Sequence, residues 1–179
     1  MGNRGGRFHT DDRTLRSRHY ISRRWICCIC DFRNRRRAVW GSGYTELFLL
    51  DEVTALAAGH RPCFECRRAD AARFAALFPS AGKTAAAMDC VLHDERLQHG
   101  RKRLHKMQID ELPDGAMFSE LDACFAVRGE DVLRWSFDGY AESLLRPSGI
   151  VNVLTPPSVV ETLRRGYAPL WHETAVKTG

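Results

Sequence analysis

The chain has no run of apolar residues near the roughly 20 that a membrane-spanning helix needs, so no membrane contact is expected. Its basic opening, Met1-Gly2-Asn3-Arg4-Gly5-Gly6-Arg7, is not followed by an apolar stretch. That argues against a secretory signal and makes the cytoplasm the expected compartment. Internal repeats and low-complexity tracts are absent as well, which leaves the composition of an ordinary globular protein. An even cysteine count is also missing: there are 7 cysteines, so a complete disulfide framework would leave one over. In a reducing compartment such thiols are read as metal ligands or buried core residues. With 179 residues there is enough chain for one domain or two small ones.

The charge is present but unevenly spread. Residues 1–83 hold 16 Lys and Arg against 8 Asp and Glu, a net +8; the remainder hold 11 against 14, a net −3. The excess positive charge therefore lies in the first half, which points to a polyanionic partner, nucleic acid before any other. The plain alternative is a solvated basic surface.

The first half also carries the cysteines. Ala57-Ala58-Gly59-His60-Arg61-Pro62-Cys63-Phe64-Glu65-Cys66-Arg67-Arg68 sets two cysteines in a tight turn just before a helical pattern. This is how half of a structural zinc site is usually written: the turn presents both sulfurs and the helix anchors the turn. The other half is expected in Cys27-Cys28-Ile29-Cys30. If Tyr20 to Phe32 is a strand, alternation puts Ile26, Cys28, Cys30 and Phe32 on one face and Trp25, Cys27, Ile29 and Asp31 on the other. Cys28 and Cys30 are then the favoured upstream pair, with Cys27 as substitute for Cys28. His60 becomes a candidate ligand if only one upstream cysteine is used. Arg33, Arg35, Arg36, Arg37, Arg61, Arg67 and Arg68 flank these positions and are read as contacts to nucleic-acid phosphates.

Along the chain, residues 1–19 read as an extended or mobile basic arm. Short strands are expected at Ala38 to Trp40 and Tyr44 to Leu50. Helices are expected from Glu52 to Ala58, capped by Asp51 and ended by Gly59, and from Arg67 to Phe78. Pro79-Ser80-Ala81-Gly82 marks the expected module boundary, giving a zinc module over 20–82 and a second module over 83–179. In the second module a helix is expected from Thr84 to about Gln98. Strands are expected at Ala116–Glu120, Ala123–Arg128, Val132–Phe137 and Ile150–Leu154. A terminal helix opens at Thr155-Pro156-Pro157-Ser158. The class is α+β. Cys90 and Cys124 are read as buried thiols, and Trp135, Tyr140, Tyr167 and Trp171 as core residues of the small sheet or as stacking groups.

The block Glu52-Val53-Thr54-Ala55-Leu56-Ala57-Ala58-Gly59-His60-Arg61-Pro62-Cys63-Phe64-Glu65-Cys66 resembles the end of the N-terminal zinc domain of the Ada family of DNA-repair proteins. The resemblance covers about residues 20–75. It implies a zinc ion held by four thiolates, with Cys63 and Cys66 matching the downstream pair. It also implies a DNA partner, and a methyl-accepting role for one upstream thiolate, Cys28 or Cys30 here. The family writes its upstream pair as Cys-x-x-x-Cys, and this chain departs from that spacing. Nothing after residue 82 resembles the Ada protein's methyltransferase motif or its helix-turn-helix arm.

Two other functions compete. The polar group His93, Asp94, Glu95, His99 and His105 places Glu95 and His99 one helical turn apart, a spacing suited to general acid/base work in a nuclease or repair enzyme. Alternatively, the zinc is purely structural and the acidic second half is a surface for a protein partner.

Overall fold

The computed structural model describes residues 1–17, 20–34, 39–79 and 82–177. It is α+β. The first half contributes β1 (Gly2–Arg4), β2 (Ile26–Cys28), α1 (Glu52–Ala57), β3 (Arg61–Pro62) and α2 (Arg68–Leu77). Then follow α3 (Ala85–Arg96), a β4–β5 hairpin (Leu97–Gln98, Arg101–Lys102), β6 (His105–Gln108) and a 3-10 turn at Ile109–Glu111. The last third holds β7 (Met117–Glu120), β8 (Ala123–Arg128), β9 (Asp131–Ser136), β10 (Gly139–Leu145) and β11 (Ile150–Val153). Two helices close the chain, α4 (Pro157–Arg164) and α5 (Thr174–Lys177). Among the described residues no helix is long and apolar enough to cross a membrane.

Six strands make an antiparallel sheet in the order β10-β9-β8-β7-β11-β6. Its side chains alternate between two buried clusters, as the two-residue period of a strand requires. Phe118, Val127 and Val132 join the larger cluster, with Leu56, Phe74, Phe78, Met88, Leu92 and Leu163 from the helices. Met117, Ala126 and Leu133 join the other, with Val53, Ala57 and Ala175. α1 therefore feeds both clusters. The larger one also runs across the boundary expected at 79–82, because α2 and α4 pack into the same core.

A small sheet, β1-β2-β3, carries the cysteines. β1 runs antiparallel to β2 and β3 runs parallel to it, with Ile26 opposite Arg61 and Cys27 opposite Pro62. The strand is shorter than the 20–32 run expected, and 44–50 is not a regular strand: it meets residues 1–6 through the isolated bridge Gly2↔Phe48 and single backbone hydrogen bonds such as Asn3 N–H to the Leu47 carbonyl at 2.7 Å. Nor does the start of the chain stand apart as an arm, since residues 2–4 are part of this sheet.

α1 is set at both ends. Asp51 Oδ1 accepts from the Thr54 N–H at 2.8 Å and from its hydroxyl at 2.7 Å, the N-cap that the sequence indicates. At the other end Gly59 takes φ +86°, a left-handed conformation that stops the helix. A Cβ at Gly59 would lie 2.6 Å from Arg96 Cδ, so the buried Arg96 side chain fills the space that a larger residue would need. Reversal at Gly59 aims the chain into β3, and β3 delivers Cys63 beside β2.

Candidate metal centre

The parallel pairing of β2 with β3 brings the two cysteine segments together. The sulfurs of Cys28, Cys63 and Cys66 all lie within 4.8 Å of one another. Four sulfurs around a zinc at a bond length of about 2.3 Å would sit roughly 3.8 Å apart, so small side-chain shifts suffice to close on an ion. The turn supports this. Glu65 N–H points at Cys63 Sγ at 3.4 Å, so the sulfur receives a backbone hydrogen bond of the kind that stabilises a thiolate.

The three thiols share their protons unequally. Cys63 is pulled down to about 4, first by the hydrogen bond from the Cys28 thiol and then by backbone N–H groups of Cys66 and Glu65, against the opposing effect of burial. Cys28 is pushed far up, since its proton bonds Cys63, and burial adds to the shift. Cys66 is raised by burial. A divalent ion binding here would displace the protons held on Cys28 and Cys66.

Cys27 and His60 have other partners. The short strand buries Cys27 on the face opposite Cys28, where Arg67 Nη1 donates to its sulfur at 3.3 Å. Burial, with the nearby Glu52 carboxylate, pushes that thiol up to about 12. His60 has both ring nitrogens occupied, Nδ1 by the Ala55 carbonyl at 3.2 Å and Nε2 by the Asn3 side-chain amide at 2.9 Å. Neither residue faces the sulfur cluster. Cys30 lies outside the group of three but lines the same cleft and is exposed there.

The cleft has a volume of about 200 Å³ and opens above Cys28 and Cys66. Arg4 forms part of its wall and pairs with Glu65 at 3.0 Å. Burial alone would lower the Arg4 pKa, but the Glu65 hydrogen bond and the charges of Cys28 and Cys63 hold it above its ordinary value. Sequence reasoning missed Arg4 because it lies 24 residues before Cys28, and only its place in β1 brings it to the sulfurs.

The expected phosphate-contacting arginines separate into three groups. Arg61 is 4% exposed and makes a two-pronged ion pair with Asp89, at 2.8 and 2.9 Å. Arg67 is 5% exposed, and its two terminal nitrogens each reach a Glu52 oxygen at 2.7 Å. Both guanidinium groups are committed to buried carboxylates, so these two are structural cations and do not face a phosphate. Arg33 and Arg68 are exposed, Arg33 with its guanidinium 5.0 Å from the centroid of Phe32, a cleft-lining ring. Arg35, Arg36 and Arg37 lie outside the described residues.

The second polar group does not assemble into an acid/base pair. α3 ends at Arg96, so Glu95 and His99 are not on one helix. Glu95 instead accepts from Ser158 N–H at 3.0 Å and from its hydroxyl at 2.6 Å, holding the start of α4, while its backbone carbonyl faces His105 Nε2 at 2.8 Å. Tyr140 and Tyr167 are buried, with their hydroxyls on Asp51 and Glu52, and are not available for stacking. Cys90, expected to be buried, is exposed, and Cys124 is half-buried.

Comparison of the chain with family models, with curated proteins and with solved structures returned no match in any of the three.

Proposed function

We propose that the chain is a zinc-binding protein that binds nucleic acid, most of all the DNA backbone, through the face on which the cysteine cluster opens. The observation that carries this reading is the group of three sulfurs within 4.8 Å, half-open at a cleft with Arg4 in its wall. Cys28, Cys63 and Cys66 would hold the ion, and Cys30, which lines the same cleft, would supply the fourth thiolate. The resemblance of residues 20–75 to the Ada zinc module supports zinc over other metals, as does the thiolate donor set.

A bound zinc would keep its sulfurs deprotonated and pin the Cys63–Cys66 turn. The remaining work falls to side chains of this chain. Arg4 and Arg33 offer cations at that face, and Arg68 is exposed two residues after Cys66. The buried Arg61–Asp89 and Arg67–Glu52 pairs hold the knuckle rigidly against α3 and α1. A rigid knuckle with cations around it positions a phosphate backbone without reading its sequence.

The test is metal content and DNA binding on the same samples. Purified protein should carry about one zinc per chain. It should bind a DNA duplex with an affinity that falls steeply as salt rises, because each neutralised phosphate releases counterions. Cys63→Ser should lose the zinc and the salt-dependent binding together. Zinc without any DNA affinity would overturn the nucleic-acid reading and favour a surface for a protein partner. Absence of zinc would overturn the metal centre itself.

A further inference from the structure

The cleft above the cysteines is more than a charged surface. Phe32, Tyr44 and Phe48 contribute three aromatic side chains to its wall, with Val39 and Leu47 beside them. Phe48 is 65% exposed and Val39 50%, an uncovered apolar surface in the basic half of the chain. Two of the rings already have a cation near them: Arg4 lies 5.7 Å from the Tyr44 centroid and Arg33 lies 5.0 Å from that of Phe32. Glu46, the one carboxylate among the described wall residues, accepts from the Trp40 N–H at 3.1 Å. Arg4 also carries a buried Nε–H that meets no acceptor among the described residues. Buried donors without partners are uncommon and call for an explanation.

A duplex surface presents phosphates and groove edges, and it would leave the exposed Phe48 ring facing solvent. A single strand offers what the cleft lacks: a flat base to stack on an aromatic face, a carbonyl or phosphate oxygen for a spare N–H, and a backbone charge to meet the arginines. We infer that the cleft is a stacking site for an unpaired nucleobase, so that the preferred partner is single-stranded nucleic acid, with Phe48 as the stacking platform and Arg4 as the polar anchor. This inference rests on the nucleic-acid reading above and narrows its substrate class.

The experiment uses the zinc-loaded full chain and three labelled probes read by fluorescence anisotropy. They are an oligothymidine of about fifteen nucleotides, near the upper site size of single-strand binders, an abasic strand of the same length, and the corresponding duplex. Stacking of one base should make the oligothymidine bind about 5- to 150-fold tighter than the abasic strand. Phe48→Ala should remove that difference while leaving binding to the abasic strand unchanged. Phe137→Ala, at an exposed ring that does not line the cleft, should leave both unchanged. Phe48→Leu keeps apolar bulk without a π face and should behave as Phe48→Ala does. Zinc content, measured on every variant, separates lost stacking from a lost fold. A 2-aminopurine placed in the strand should lose fluorescence when the wild-type protein binds.

Equal affinity for the abasic and thymidine strands, with the same salt dependence, would overturn base stacking and leave backbone binding intact. A base preference that survives both Phe48 variants would overturn the cleft as its site. Failure of all three probes to bind would remove the nucleic-acid reading and this inference together.

Discussion

Cys28→Ser should strip the metal and Cys27→Ser should not, although the two residues are neighbours. The strand turns one sulfur to the cleft and the other inward to Arg67, so only Cys28 reaches the cluster. Zinc content should fall to background in Cys28→Ser. In Cys27→Ser it should hold, with a stability loss of about 1 kcal/mol on denaturation, the ordinary size for a small change in a buried contact. His60 carries a second prediction at this scale. Burial, with Arg96 nearby, lowers its pKa from 6.5 to about 3, so the folded protein refuses a proton that the unfolded chain accepts. Its contribution is complete above pH 6.5 and is lost as pH falls from there toward about 3, with a slope near 1.4 kcal/mol per pH unit. Urea midpoints measured from pH 7 down to pH 4 should fall less steeply in His60→Gln than in the wild type, and any zinc lost at low pH would be lost from both. Cys63 and Cys66 were legible in the sequence because the turn that presents them is local. The fates of Arg61 and Arg67 were not, because their partners, Asp89 and Glu52, lie 28 and 15 residues away. A charge run in a sequence does not say which of its members will be neutralised inside the fold.

Among the elements, α1 does the most to place the site, and its two ends can be tested separately. Glu52, in its first turn, is fully buried and accepts four hydrogen bonds, from the two Arg67 nitrogens, the Tyr167 hydroxyl and the Leu170 N–H. Glu52→Gln leaves the buried Arg67 with only the half-exposed Asp70 carboxylate, 2.9 Å away, as a charge partner, which should cost about 3 kcal/mol, the low end for breaking a buried pair. Denaturant unfolding would measure that loss, and Arg68→Gln, at an exposed neighbour, should cost almost nothing. At the other end, Gly59→Ala forces a Cβ into Arg96 and an L-residue into φ +86°, for about 2 to 4 kcal/mol. The helices were readable because their ends are written in side chains: Asp51 and Thr84 each accept from a backbone N–H at an N-terminus, and Gly59 and Gly166 follow C-termini at positive φ. Strands β7, β8, β9 and β11 were readable to within a residue or two from alternation and turns. β10 was missed because Gly139-Tyr140-Ala141-Glu142-Ser143 has weak strand propensity, and only Gly139 and Tyr140 of the strand are buried, at an edge of the sheet. β1 was missed because three polar or small residues become a strand only when β2 lies beside them.

At the scale of the molecule, the sequence suggests two modules that meet at residues 79–82, and charge and motif both change there. The packing runs through that point. Leu56, Phe74 and Phe78 from before it share one buried cluster with Met88, Phe118, Val153, Val159 and Leu163 from after it. Asp51 and Glu52 reach across as well, accepting from the hydroxyls of Tyr140 and Tyr167. Cutting the chain at residue 82 would expose the inner side of α2 and the α1 surface that packs on the large sheet, and would leave both buried carboxylates short of donors. The loss of several fully buried side chains, each worth about 1.5 to 3 kcal/mol, exceeds the stability that a fragment of that size can hold. A fragment spanning residues 1–82 should therefore lack a cooperative unfolding transition and show poorly dispersed amide resonances without zinc. Zinc should order the region around Cys28, Cys63 and Cys66 and leave α2 unprotected from hydrogen exchange. In the full chain the same amides should exchange at the rate of global unfolding, because the core that covers them comes from the second half. A fragment that folds cooperatively with zinc alone would mean that the small sheet and its ion are an independent unit. The six-stranded sheet would then be an attachment to that unit and not the wall that holds the knuckle in place.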